Sequence, residues 1–211
     1  MNTSTPALRT RPAPIGRICA IHTHHIAGEP GETVESSEFV QAMRGAATGV
    51  NIVTTDGPAG RFGLTVSAFA SVSAEPPLLL VCINRRSPAC SALRQNRRFC
   101  VNVLAAAQQP IADTFAGRPA TGNAYDFDTG IWTSSATGSP VLSGSTAIFD
   151  CSLYRCLDAG THAIFIGAVR TVDGTDNCPL LYTGGANIVS AVPCIGNFGF
   201  IWWRERKQHS E

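Results

Sequence analysis

Two prolines, Pro76 and Pro77, stand directly before six consecutive apolar residues, 78–83. A run that short and that apolar reads as a strand buried on both faces. The prolines have no N–H to give a ladder, so the strand cannot extend backwards past them. Similar segments surround it. Residues 50–55, the turn Asp56-Gly57-Pro58 and residues 62–69 spell strand, turn, strand. Residues 99–104 form another apolar run, and Ala147, Phe149, Cys151 and Leu153 alternate with Asp150 and Ser152, which predicts a strand with one wet face. Residues 162–172 are apolar through their centre and read as buried on both faces, and residues 180–182 make a last short strand.

The helical signals are short. A helix starts at Ser36 or Ser37, with Phe39, Met43, Ala46, Ala47 and Val50 at helical spacing and Gly49 available to end it. A second covers residues 87–95, with Ser87 as cap and Pro88 in the first helical position, and a third covers 110–115, closed by Gly117. Six or seven strands with a few short helices, and no strand–crossover–strand pattern, predict a mainly β fold: an antiparallel barrel with helices at its ends.

With 44% hydrophobic and 15% charged residues in 211, the chain is a folded protein with much buried or subunit-covered surface. A net charge of +1 offers nothing to nucleic acid or an anionic membrane, and no apolar run approaches the ~20 residues of a membrane span. Of 16 basic residues only Lys207 is a lysine, which argues against Schiff-base, lysine-base and P-loop chemistry. The eight cysteines form no C-x-x-C pair and no zinc spacing, so they read as thiols of a reducing, cytoplasmic setting, and no metal site is expected. Residues 1–35, Pro- and Arg-rich with no acidic residue before Glu29, read as a flexible extension. His22, His24 and His25 there read as solvated rather than as metal ligands. A single domain is expected over 36–193, followed by a tail at 194–211 whose Trp202 and Trp203 pack on the barrel.

Two stretches carry chemistry. Along residues 63–77, Thr65, Ser67, Ser71 and Ser73 recur at period 2 and put four hydroxyls on one strand face. Such a row either faces water at a sheet edge or lines a pocket for a flat ligand with polar edges. Farther on, Asn84-Arg85-Arg86-Ser87 ends a strand and opens a helix, where free N–H groups and the dipole favour an anion. An ordinary helix cap with two solvated arginines has the same sequence. His162, after Gly160-Thr161, reads as structural by position alone.

From about Phe39 to Tyr182 the chain resembles the flavin reductase family with the FMN-binding split-barrel fold. The resemblance lies in residues 50–60 and 63–77, then in Phe99-Cys100-Val101-Asn102-Val103-Leu104, Phe115-Ala116-Gly117 and Gly160-Thr161-His162, in that order. It implies that Gly63, Leu64, Thr65, Ser67 and Ala68 line the isoalloxazine ring. Cys82, Ile83, Asn84, Ser87 and Ala89 would hold the ribityl chain and phosphate, Phe115 would flank the flavin, and Tyr182 would lie on the cofactor side. His162 becomes the implied catalytic residue, positioning the nicotinamide so that hydride passes between stacked rings. The implied activity is NADH-dependent reduction of FMN, with FAD possible, by a homodimer that supplies reduced flavin to a separate monooxygenase. The alternative is an FMN-binding electron-transfer or storage protein without NADH turnover. Its motive is the segment after Tyr182, which reads Thr183-Gly184-Gly185-Ala186-Asn187 where members of the family usually carry a basic residue.

Overall fold

A computed structural model describes residue 28 and residues 30–189, with side chains described to residue 185. The metal and packing readings of His22, His24, His25, Trp202 and Trp203, and the tail 194–211, lie outside the described residues. The chain divides at the Glu35–Ser36 junction, and among the described residues all regular secondary structure lies after it.

In chain order the elements are α1 (Ser36–Met43), β1 (Thr48–Gly49), β2 (Asn51–Thr55), β3 (Phe62–Val66), β4 (Phe69–Ala74), β5 (Pro77–Asn84), α2 (Pro88–Asn96) and β6 (Arg98–Val103). A 3-10 turn (Ala106–Gln108) leads into α3 (Gln109–Phe115), then β7 (Trp132–Ser134), β8 (Pro140–Leu142), β9 (Ala147–Ala159), β10 (His162–Gly174), β11 (Leu180–Thr183) and β12 (Ala186–Val189). Seven strands form one antiparallel sheet in the order β3-β2-β6-β9-β10-β5-β4. Its two edge strands, β3 and β4, are consecutive in the chain and separated only by Ser67 and Ala68. The sheet must therefore curl until its edges meet at that corner, and a mainly β, antiparallel barrel results.

The inside of the barrel is filled by Val53, Val66, Leu79, Val81, Ile83, Leu93, Phe99, Val101 and Phe165. A second core joins Val50, Ile52, Leu104, Ala112, Phe115, Leu142 and Leu180, with Phe127 and Trp132 packed against it. Because β2 feeds one core with Val53 and the other with Ile52, every residue of that strand is buried.

Several expectations are corrected. The first helix ends at Met43 instead of running towards Gly49, because Thr48–Gly49 pairs with β11 and Val50 is drawn into the second core. Its apolar side chains Phe39, Val40 and Met43 are exposed rather than packed. The expected strand over 62–69 breaks at Ser67-Ala68, so Thr65 and Ser67 stand on one side of the corner and Ser71 and Ser73 on β4 beyond it; the four hydroxyls do not share a face. Neither β5 nor β10 is buried on both faces. Leu79, Val81, Ile83, Ala163 and Phe165 point inward, while Leu78, Leu80, Cys82, Ile164 and Ile166 form a half-exposed outer row. Finally, the polar face of β9 is not wet at Asp150, which is 1% exposed. The loop 135–139 folds over it, with Ser135 Oγ (2.8 Å), Thr137 N (2.9 Å) and Thr137 Oγ1 (2.6 Å) all donating to its carboxylate.

Candidate functional site

The corner between β3 and β4 organises the site. The β2–β3 ladder ends at Val66 and the β4–β5 ladder starts at Phe69, so Ser67 and Ala68 lie outside both. Their carbonyls are used locally, Ser67 O by Phe69 N (3.0 Å) and Ala68 O by Cys82 N (3.1 Å). Their N–H groups are spent on no neighbouring strand, a state that a protein tolerates only where water or a ligand can take the bond.

On one side of this corner is a cavity of about 240 Å³ lined by Val50, Thr65, Val66, Ser67, Ala112, Asp113, Ala116, Arg118 and Tyr182. Thr65 Oγ1 donates to Ala112 O at 2.7 Å, which fixes α3 against β3 and leaves the hydroxyl oxygen as an acceptor. Two buried side-chain atoms have no hydrogen-bond partner among the described residues, Thr48 Oγ1 and Asn51 Oδ1, on residues that do not themselves line the cavity. Thr48 is paired in register with Tyr182 and Asn51 with Val66, both of which line the cavity.

On the other side, Cys82 is tied to Ala68, and two residues further along β5 Asn84 pairs in register with His162 at the start of β10. Asn84 closes the turn into α2: its Oδ1 accepts from Arg86 N at 2.9 Å and its carbonyl from Ser87 N at 3.0 Å. Ser87 is the N-cap residue by backbone conformation, yet its side chain makes no cap bond, and Pro88 follows it in the first turn. Its hydroxyl is thus free for an anion at the positive end of the helix. His162 is exposed, with Nδ1 held 2.9 Å from Thr161 Oγ1. Arg85 is turned away from this mouth. Its guanidinium bonds Gly160 O at 3.2 Å and lies 3.7 Å from Asp158, which also holds Arg94.

The structure therefore brings Thr65, Ser67, Ala68 and Tyr182 to the cavity side of the corner and Cys82, Asn84, Ser87 and His162 to the helix side. Of these eight residues, Thr65, Ser67 and Tyr182 line the cavity itself. Gly63, Ile83, Ala89 and Phe115 are buried, and Leu64 is half-buried against the barrel core, so these residues lie beneath the corner rather than at its surface. Ile83 has the inward parity of β5, and Ala89 sits on the buried face of α2. Phe115, implied to flank the flavin, is 1% exposed and locked edge-on against Phe127 and Trp132. Asp113 and Arg118 line the cavity without having been marked by the sequence; neither lies in a patterned run, and only the folding of α3 onto β3 brings them there.

A family model described as "Flavin reductase like domain" matches residues 43–187. This chain belongs to the flavin reductase-like family. Among its curated relatives, "FMN reductase (NADH) RutF" of Serratia proteamaculans is 45% identical over 132 residues, covering 63% of this chain and 74% of the relative. The protein of the same name from Variovorax paradoxus is 41% identical over 166 residues, 77% and 91% of the two chains. Solved structures agree. The flavin reductase PheA2 matches with a TM-score of 0.69 at 30% identity, covering 75% of this chain and all of that one (100%). BorF, the flavin reductase component of a bacterial two-component tryptophan halogenase, matches with a TM-score of 0.66 at 36% identity, covering 74% and 98%.

Proposed function

We propose that the protein is an NADH-dependent flavin reductase that supplies reduced FMN, or FAD, to a separate monooxygenase in a two-component system. The observation that carries this reading is the Ser67-Ala68 corner: backbone donors outside both ladders, beside a cavity and tied through Cys82 to the strand that runs into a helix mouth suited to phosphate. The activity rests on the family and on relatives named FMN reductase (NADH). When bound, FMN supplies the ring that accepts a hydride from NADH.

The chain's own part is binding and orientation. Ser67 and the 67–68 backbone would direct donors at the pyrimidine edge, where negative charge develops. Asn84 and Ser87 would hold the phosphate, aided by the first turn of α2. His162, across the β5–β10 ladder from Asn84, would position the nicotinamide rather than move a proton, since hydride transfer needs stacked rings at near-attack distance.

A homodimer suits the molecule. The outer row Leu78, Leu80, Cys82, Ile164 and Ile166 is apolar and half-exposed, a surface that a second copy would cover. A cytoplasmic setting is in keeping with the buried thiols Cys100 and Cys151; no helix among the described residues is long and apolar enough to cross a membrane. The deciding experiment mixes the protein with FMN and NADH and follows absorbance at 340 nm. Flavin-dependent consumption of NADH is expected. Tight FMN binding without consumption would instead favour an electron-transfer or storage protein.

A further inference from the structure

The hairpin that follows Tyr182 carries no basic residue of its own: β11 ends at Thr183, the turn is Gly184-Gly185, and Arg44 meets it through its backbone carbonyl, which accepts from Gly184 N at 2.8 Å. NADH carries two phosphate charges that need a cation. Among the described residues, Arg118 is the one basic residue that lines the cavity shared with Tyr182. It arrives there from a different element, by a defined route. Helix α3 ends in a Schellman motif: Gly117, at φ 75°, donates its N–H to Thr114 O (3.1 Å), and Arg118 N–H reaches back to Asp113 O (2.8 Å). A side chain at position 117 would also meet Tyr125, because a Cβ there would stand 2.7 Å from the Tyr125 hydroxyl. Glycine is therefore required at 117, and the two backbone bonds deliver residue 118 to the cavity rim.

The guanidinium is also uncommitted. Ion pairs among the described residues join Arg61 to Asp56, and Arg85 and Arg94 to Asp158. Among the described residues, Arg118 and its cavity neighbour Asp113 have no side-chain hydrogen-bond or ion-pair partner, and Arg118 is exposed. An exposed arginine held beside a cavity without a carboxylate partner is a ready phosphate fork. Asp113 in the same cavity disfavours additional negative charge, such as a 2′-phosphate.

We infer that Arg118, delivered to the cavity rim from the end of α3, binds the pyrophosphate of NADH. The inference rests on the reductase reading and deepens it. Its test uses the FMN-loaded protein and two readouts. In the first, NAD+ is titrated into wild type, R118A and R118K by calorimetry, where no turnover occurs. R118A weakens NAD+ binding about tenfold, as loss of a charge-assisted contact does, and R118K recovers part of it. In the second, kcat/KM is measured with NADH and with a phosphate-free N-alkyl dihydronicotinamide. R118A costs NADH about tenfold more than it costs the phosphate-free donor.

Unchanged NAD+ affinity in R118A, or equal losses with both donors, would overturn the assignment while leaving the reductase reading intact. Failure of the wild-type protein to oxidise NADH with FMN would instead remove the reading on which the assignment stands.

Discussion

At Gly63 β3 lies directly against the Phe115 ring of α3, and replacing it with alanine tests how the site is supported. A Cβ at position 63 would stand 2.6 and 2.8 Å from two Phe115 ring carbons and 3.1 Å from Phe127, against an ordinary contact of 3.4–4 Å. The shortfall is about 0.8 Å. Phe115 cannot retreat, because Phe127 and Trp132 hold its ring with centroids at 4.9 and 5.3 Å. Relief requires moving α3 or breaking two edge-on ring contacts, each worth about 0.5–1.5 kcal/mol. G63A should therefore cost about 2 kcal/mol, within the range of about 1–3 kcal/mol for overpacked cores. In a chain of this length that lowers Tm by roughly 4–8 °C. Urea unfolding of the flavin-free protein, followed by circular dichroism, should show a lower midpoint at unchanged slope. Combining G63A with F115L makes room for the new methyl group, so the double variant should be more stable than the sum of the single effects by about 1 kcal/mol. A G63A protein within about 0.5 kcal/mol of wild type, or strict additivity with F115L, would refute the packing argument. So would loss of FMN affinity at unchanged stability, since Gly63 would then be touching ligand.

Other outcomes follow from the same coordinates. H162A should slow NADH-driven reduction with FMN affinity nearly intact, and an unchanged rate would remove His162 from the mechanism. Replacing Asn84 and Ser87 with alanine should weaken FMN far more than riboflavin; equal weakening would show that the phosphate lies elsewhere. Burial and the adjacent Asp150 charge push the Cys151 thiol from 9.0 up to about 12, and Cys100 is raised in the same way. Folded-state values above the unfolded ones mean that this stability is complete below about pH 9 and falls as pH rises towards 12. A denaturation midpoint that stays level between pH 9 and 11 would contradict that sign.

Much of the barrel could be read directly. The apolar run after Pro76-Pro77, the Asp56-Gly57 turn and the alternation along β9 correspond to real strands, because strand parity and proline's missing N–H are local properties. The corner at Ser67-Ala68 was hidden because hydroxyls at 65, 67, 71 and 73 keep period 2 straight through it; only the pairing of β3 with β2 and of β4 with β5 breaks the run. Burial of Asp150 was illegible for a related reason. Its cover, the 135–139 loop, has no pattern of its own. In the proposed site, Thr65, Ser67, Asn84 and Ser87 could be marked from the sequence because hydroxyl and amide side chains in a strand row and at a helix start stand out by type. Arg118 could not, because its role depends on where a helix end is placed against a strand distant in sequence. The inward turn of Phe115 was likewise decided by Phe127 and Trp132, two aromatic residues in a stretch without periodicity.

A crystal structure of the protein grown with FMN tests the central claim most directly. The flavin ring should lie along Thr65–Ala68 with its pyrimidine edge on the 67–68 backbone, and the phosphate should sit at Asn84 and Ser87. A flavin bound elsewhere, or one whose ring and phosphate do not span the corner between β3 and β4, would contradict it.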